Sequence, residues 1–455
     1  MNSIRNTSET SSRIYHIYPK TCLSLISAIL LLIVLVLFEI GLRMLAPIAI
    51  TNVGYKNTPN GQRYGWGFKP YDLVRTENPD TGKVSFDRVN NKGWRDRDRT
   101  YENAINAFRV VVLGDSETFG FIVPKRKTFT WLLEEQFKAK GRNVEIINIS
   151  YSGWGTSQQL EALEKEGIKY RPDLVVINFS GNDIYDNTIH TDPGKFGARI
   201  PFFHELSAEG KLQRRDNHRF SHELSITSRK FILSKSEIIK RLWLMRLAVK
   251  NYKKRPHIIS RGQIHLIQAS LADKLPKRFQ IALEEEINRE MTLLELKRFL
   301  NGFDLKQNVR KAIIRITENR SFQRDFHGAQ GLFGKPNLSH RHWLLYKKIM
   351  IKIKDVATKG GAKVALASDS GPGLLKWMRY WHRAPHDKTA KEKIALQNSR
   401  LRSLANSIGV KFIEPYLNDN RARNDPHLDE VGHRAKADNL YKFLMLFFNN
   451  EIQKR

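Results

Sequence analysis

The chain has 455 residues, 41% of them apolar and 27% charged, which supports one large folded domain or two ordinary ones and excludes a disordered polymer. A formal net charge of +31 predicts a surface drawn to anionic partners, namely nucleic acid, phospholipid headgroups or acidic glycans. The single cysteine, Cys22, excludes an intramolecular disulfide. No His, Cys or Glu cluster has metal-ligand spacing and no Gly-rich phosphate loop precedes a Lys, so neither metal nor cofactor is expected.

In chain order, residues 1–20 form a short N-terminus carrying Arg5, Arg13 and Lys20. Next comes "TCLSLISAILLLIVLVLF" (21–38), uncharged over 18 residues and able to continue as a helix to residue 46. The basic flank predicts a membrane anchor over 21–46 with its N-terminus inside and everything beyond outside the cytosol, periplasmic or extracellular. A cleaved signal peptide is the rival, but no small-x-small site follows the apolar run. Glu39 and Arg43, four apart, are placed to pair at the outer boundary.

Residues 47–107 are rich in Gly, Asn, Pro and Asp and read as a linker and N-terminal extension, with "NNKGWRDRD" (90–98) as a polar turn. Then strands and helices alternate. "FRVVVLG" (108–114), "VEIINIS" (144–150) and "DLVVINFSGND" (173–183) read as buried strands, separated by helices over 128–141, where Thr128 is the expected cap, and 158–167. After a break, a helix over 342–361, the strand "KVALASDS", a helix near 389–408, "VKFIEP" and a helix after Asp429 continue the rhythm. The expected architecture is an α/β fold with a mainly parallel sheet of about five strands covered on both faces.

Residues 185–340 interrupt the alternation with mostly helical patterns, and 211–260 holds 14 Lys or Arg against three Asp or Glu. Two readings stay open: a solvated helical insertion, or a cap holding an anionic substrate or membrane headgroups.

Three polar strand ends carry the chemistry. Gly114 allows an abrupt exit from its strand before Ser116, which is either a nucleophile or a helix cap. Gly153 permits close backbone approach to a ligand, and Asn182 in "FSGND" offers a side-chain amide; parallel α/β sheets bring such ends together. "RNDPHLDEVGH" (423–433) supplies His427 as base and Asp425 as the acid that fixes its tautomer, with Asp429 as nearest substitute for Asp425. His433 ranks below His427 because a histidine inside a helix is more often a packing residue. Asp115 is expected to bond the backbone of the turn rather than move protons.

The blocks "GDSETFG", "NISYSGWGT", "SGND" and "NDPHLDEVGH" resemble those of the SGNH/GDSL hydrolase superfamily over roughly 90–184 and 341–447. "NNKGWRDRD" together with an N-terminal anchor resembles its bacterial membrane-anchored branch. The resemblance implies a three-layer α/β/α fold split into 108–184 and 341–455. It implies Ser116 as nucleophile, Ser116, Gly153 and Asn182 as oxyanion hole, and His427 and Asp425 as base and orienting acid. Two positions depart from the common pattern: Ser180 stands where the third block commonly has Gly, and Asp425 lies two rather than three residues before His427, with Asn424 at the third.

The implied function is a serine esterase removing O-acyl, often O-acetyl, groups from cell-envelope or extracellular carbohydrate. The alternatives are an O-acyltransferase using the same acyl-enzyme, and an inactive protein that binds anionic polymer through its basic insertion. Nucleic acid is disfavoured as a partner because no recognition motif accompanies the charge.

Overall fold

The computed structural model describes residues 19–46, 54–55, 58–187, 200–217, 236–242, 245–246, 267–268, 271–286, 293–318, 340–374, 388–416, 418–422 and 425–455. Residues 1–18 of the segment expected on the inner side of the membrane, and most of the basic stretch after residue 217, lie outside the described ones.

Helix α1 (Pro19–Leu45) contains a 25-residue span, Thr21–Leu45, with mean hydropathy 3.0, and its apolar side chains from Leu23 to Phe38 are exposed. It is long and apolar enough to cross a membrane. The described part of 47–107 is no slack linker. Helix α2 (Pro59–Tyr64), capped by the Thr58 hydroxyl accepting from Gly61 N at 2.9 Å, leads into the antiparallel hairpin of β1 (Leu73–Glu77) and β2 (Val84–Arg88). Tyr64, Trp66, Phe68 and Trp94 are buried in the main core. Polar composition concealed this because the aromatics are set among turn residues and follow no sustained helical or strand period.

The central sheet is built from β3 (Phe108–Gly114), β4 (Val144–Ser150), β5 (Leu174–Phe179), β8 (Lys363–Ser368) and β9 (Lys411–Ile413). These five strands lie in the order β4-β3-β5-β8-β9 and every pairing is parallel. Successive side chains on a strand point to opposite faces, and the core divides accordingly. Val111, Leu113, Ile147, Ile149, Val175 and Ile177 enter one apolar layer, whereas Val110, Val112, Ile146, Leu174 and Val176 enter the other.

Helices α5 (Thr156–Lys165), α10 (His340–Lys359) and α11 (Lys388–Ser407) cover the first face. Helices α4 (Phe129–Ala139) and α12 (Glu430–Gln453) cover the second. The result is the expected three-layer α/β/α arrangement. Short helices α3 (Ser116–Phe119) and α6 (Asp183–Asp186) stand at the ends of β3 and β5.

Between β5 and α10, the described residues hold a hairpin that the helical periodicity did not reveal, β6 (Phe202–Leu206) with β7 (Leu212–Asp216). Helices α7 (Lys277–Glu286), α8 (Leu293–Asn301) and α9 (Gln307–Glu318) follow. These helices gather a small core of their own around Leu271, Phe279, Leu283, Leu296, Leu300 and Ile313.

The sheet places the site. The chain leaves β3 for β4 on one side and returns to β5 on the other, so the strand order reverses at β3. Crevices at such reversals, outside the carboxyl ends of the strands, are where parallel α/β sheets bind ligands.

Candidate active site

Gly114 lies opposite Ser150 in the β3–β4 register, which brings the two strand ends side by side. A Cβ on Gly114 would stand 2.0 Å from Thr118 Oγ1 and 2.7 Å from Thr118 Cβ, so only glycine lets α3 fold back this tightly on β3. The turn is fastened by Asp115, whose Oδ1 accepts from Glu117 N at 3.1 Å and from Ser180 Oγ at 2.8 Å. Asp115 thus serves the backbone, as its position in the turn suggests, and Ser180 acquires a role that a glycine there would not have. Burial pushes the Asp115 carboxyl above its usual range, against the hydroxyl of Ser180.

Ser116 follows as the first residue of α3, 9% exposed. Its Oγ lies 2.7 Å from His427 Nε2. The other ring nitrogen, His427 Nδ1, contacts Asp425 Oδ1, which also accepts from His427 N at 2.9 Å. The short loop therefore clasps the carboxylate to both the backbone and the ring of the same residue, and the two-residue spacing suffices for contact. Asp429 is occupied elsewhere: its Oδ1 accepts from Gly432 N at 2.8 Å and caps α12. His433 is buried, its Nδ1 accepting from Phe129 N at 3.2 Å, and burial pulls it down to about 3. It is a neutral packing residue.

Burial alone would lower the His427 imidazole. The Asp425 carboxylate, with Glu117 and Asp115 behind it, outweighs burial and lifts the ring to about 9. Below that value Nε2–H donates to Ser116 Oγ; above it Nε2 accepts.

The loop carrying His427 is held by a buried ion pair that sequence reading missed. Arg421 meets Glu117 Oε1, donates to the carbonyl of Pro426, and donates to that of Asp369 at 2.6 Å. Glu117 Oε2 accepts from Leu428 N at 3.0 Å, so the pair grips the chain on both sides of His427. Burial would raise the Glu117 carboxyl, but Arg421 outweighs it and holds the group down to about 2. Nothing in local periodicity marks a contact between residues 304 apart; the only signal was an acidic residue directly after Ser116.

Neighbouring strand ends are tied in the same way. Asp369, just past β8, accepts from Asn178 at 2.6 Å and contacts Lys436, and Asn178 donates to Thr118 Oγ1 at 2.9 Å. Arg95, from the turn before β3, is fully buried and donates to the carbonyls of Phe119, Gly120 and Val123 at 2.6–2.7 Å. This arginine fixes the exit from α3.

Of the expected oxyanion donors, Gly153 sits at φ 78°, a conformation open to glycine, in the turn after β4. That turn is braced by Trp66 Nε1 donating to Ser152 O at 2.9 Å and by Tyr151 Oη donating to Gly93 O at 2.5 Å. Among the described residues, neither the Ser116 N–H nor the Gly153 N–H donates a hydrogen bond. The Asn182 side-chain amide donates to Asp186 Oδ2 at 2.8 Å, which engages one of its two N–H groups. No group of His, Cys, Asp and Glu suited to a metal ion occurs among the described residues.

Residues 112–204 match the model of the GDSL-like lipase/acylhydrolase family. An arylesterase of Vibrio mimicus is 36% identical over 75 residues, 16% of this chain and 38% of that protein, so the chain spans well under half of that relative. Two solved structures align over 74% of this chain and 97% of their own: TesA, at 12% identity and a TM-score of 0.31, and the lipase Lip_vut3 from a goat rumen metagenome, at 14% and 0.29. The matched stretch runs from within β3 through the ends of β4 and β5, the segment that carries Ser116, Gly153 and Asn182. Over that segment the chain is similar to the GDSL-like lipase/acylhydrolases.

Proposed function

We propose that the protein is a serine esterase that cleaves O-acyl, chiefly O-acetyl, esters on envelope or extracellular carbohydrate through an acyl-Ser116 intermediate. The observation that carries this reading is the 2.7 Å contact of Ser116 Oγ with His427 Nε2 at the carboxyl edge of a parallel sheet. Neutral His427 removes the hydroxyl proton as Oγ attacks the ester carbon. The oxyanion that forms is held by the N–H groups of Ser116 and Gly153 and by the free N–H of Asn182. On collapse of the tetrahedral intermediate, imidazolium His427 gives its proton to the departing alcohol. Water, deprotonated by the same ring, then attacks the acyl carbon, and acid leaves as Ser116 recovers its proton. Asp425 fixes the tautomer and stabilises the imidazolium.

In this reading residues 108–184 and 341–455 make one catalytic domain interrupted by 185–340, with 21–46 anchoring it outside the cytosol and 1–20 inside. The aryl ester named for the Vibrio protein is a convenient probe. Incubation with an O-acetylated polysaccharide should release acetate in proportion to lost sugar ester. Transfer of acetyl to an added oligosaccharide without acetate release would overturn hydrolysis.

A pH profile checks the base. With His427 lifted to about 9, kcat/KM is expected to climb through neutrality and level off only on the alkaline side of that value. The stability linkage has the opposite sign. Because the folded state favours the charged ring, its contribution is complete below the ordinary value near 6.5 and is lost as pH rises to about 9. Denaturation midpoints across this window, for wild type and His427→Gln, read that loss directly.

A further inference from the structure

The helical residues 237–242 and 245–246 have the burial pattern of a water-facing helix turned inside out. Glu237 and Lys240 are buried, at 5% and 8% exposure, whereas Ile239, Leu242 and Met245 are 47%, 59% and 64% exposed. Three-residue spacing sets those apolar side chains on one face. Scattered exposed apolar residues need no explanation, but an apolar face outside with charges inside does.

Glu39 supplies the context. It directly follows the uncharged run 21–38, which at 1.5 Å per residue is about 27 Å long, close to the hydrocarbon thickness of a bilayer. A carboxylate there needs partners, and it finds them on this second helix. Glu39 accepts from Glu237 N at 2.8 Å, Ile238 N at 3.0 Å and Ser236 Oγ at 2.8 Å, and pairs with Arg43 at 2.7 Å. Arg241 donates to the carbonyl of Ala46 and pairs with Glu237 at 2.9 Å. The polar groups of both segments therefore satisfy one another between the helices, as a low-dielectric boundary requires. Ile239, Leu242 and Met245 stay outside, as do Ile40, Met44 and Leu45 of α1, themselves 47%, 77% and 87% exposed, with the charged ends of Arg43 and Arg246 reaching out beside them.

We propose that the helical residues 237–242 and 245–246 lie at the membrane interface, docked through Glu39 on the outer end of α1, with Ile239, Leu242 and Met245 laid into the acyl-chain boundary of an anionic bilayer. The insertion is thereby held to the membrane at a second point. The 14 Lys or Arg against three Asp or Glu over 211–260 match this helix to anionic headgroups. The inference rests on α1 spanning the bilayer.

The test uses the full chain in a Cys22→Ser background, with an environment-sensitive fluorophore on Leu31→Cys, Leu242→Cys, Met245→Cys or Glu209→Cys. The protein is reconstituted in phosphatidylethanolamine–phosphatidylglycerol vesicles. Labels at 242 and 245 should be quenched by spin-labelled lipid and be several-fold less sensitive to aqueous iodide than the label at 209. Lipid quenching at 31 with iodide access at 242 and 245 would overturn the interfacial helix alone. Shielding at 242 and 245 from both quenchers would also overturn it, in favour of a protein partner on this face. Failure of lipid quenching at 31 would remove the anchor, and the proposal with it. Glu39→Ala should transfer the 242 label to iodide while the 31 label stays in lipid; an unmoved 242 label would contradict docking through Glu39.

Discussion

Replacing Ser116 with alanine is expected to lower kcat for an aryl acetate by about 10⁴- to 10⁶-fold with KM little changed, the scale seen when a triad nucleophile is removed. The direction follows from geometry. Ser116 supplies the only hydroxyl in contact with His427 Nε2 among the described residues, and its Oγ makes no contact that the fold depends on. Loss of function should come without loss of structure: the melting temperature of Ser116→Ala should stay near that of wild type. Residual catalysis above the uncatalysed rate would come from the backbone N–H groups, which survive the substitution. Steady-state kinetics beside thermal denaturation separates this outcome from simple unfolding.

Asp425 and Asp429 make the second large contrast. Asp425→Asn keeps the shape of the loop but offers His427 Nδ1 an amide in place of a carboxylate. A fall of about 10⁴-fold in kcat is expected from the wrong tautomer and the unsupported imidazolium. The alkaline inflection of the pH profile should move down as well, because Asp425 is the main charge lifting His427. Asp429→Asn touches only the cap of α12, where asparagine caps as well as aspartate, so activity and stability should barely change. Asp429→Ala should cost about 1 kcal/mol of stability and leave the pH profile in place. Equal kinetic losses in Asp425→Asn and Asp429→Asn would mean that both carboxylates share the histidine.

The strand ends were legible because the chemistry and the fold make the same demand there. An apolar β-branched run such as Val110–Leu113 has to be buried on both faces, and the first polar residues after it have to appear at the sheet edge. Ser116, Gly153 and Asn182 were singled out on that ground and stand after β3, β4 and β5, and the two-residue spacing of Asp425 and His427 is short enough for contact. Cap chemistry was less legible. Thr128 stands at the start of α4, yet its hydroxyl donates back to Lys125 O at 2.8 Å instead of capping the helix. The third strand ends at Phe179, four residues before the expected Asp183, because Ser180 N turns to Asp183 Oδ2 at 2.9 Å.

Buried charge was hidden almost completely. Arg95 and Arg421 are two of many basic residues in a chain of net charge +31, and composition marks all of them as surface. Burial is possible only because each finds several acceptors at once: backbone carbonyls near α3 for Arg95, Glu117 and two loop carbonyls for Arg421. Apart from Pro426, those partners come from distant parts of the chain, so no short window along the sequence contains the information. The same holds for 58–107, where the burial of Trp66 and Trp94 is explained by what they brace, the turn at Gly153, rather than by any pattern of their own.

Fluorophosphonate labelling of the solubilised protein, read by peptide mass spectrometry, tests the central claim most directly. The account predicts one phosphonyl adduct, on the peptide that contains Ser116, formed faster as pH rises toward 9 and lost in a folded His427→Ala variant. A folded wild-type protein that takes no adduct, or takes it on another serine, would contradict it.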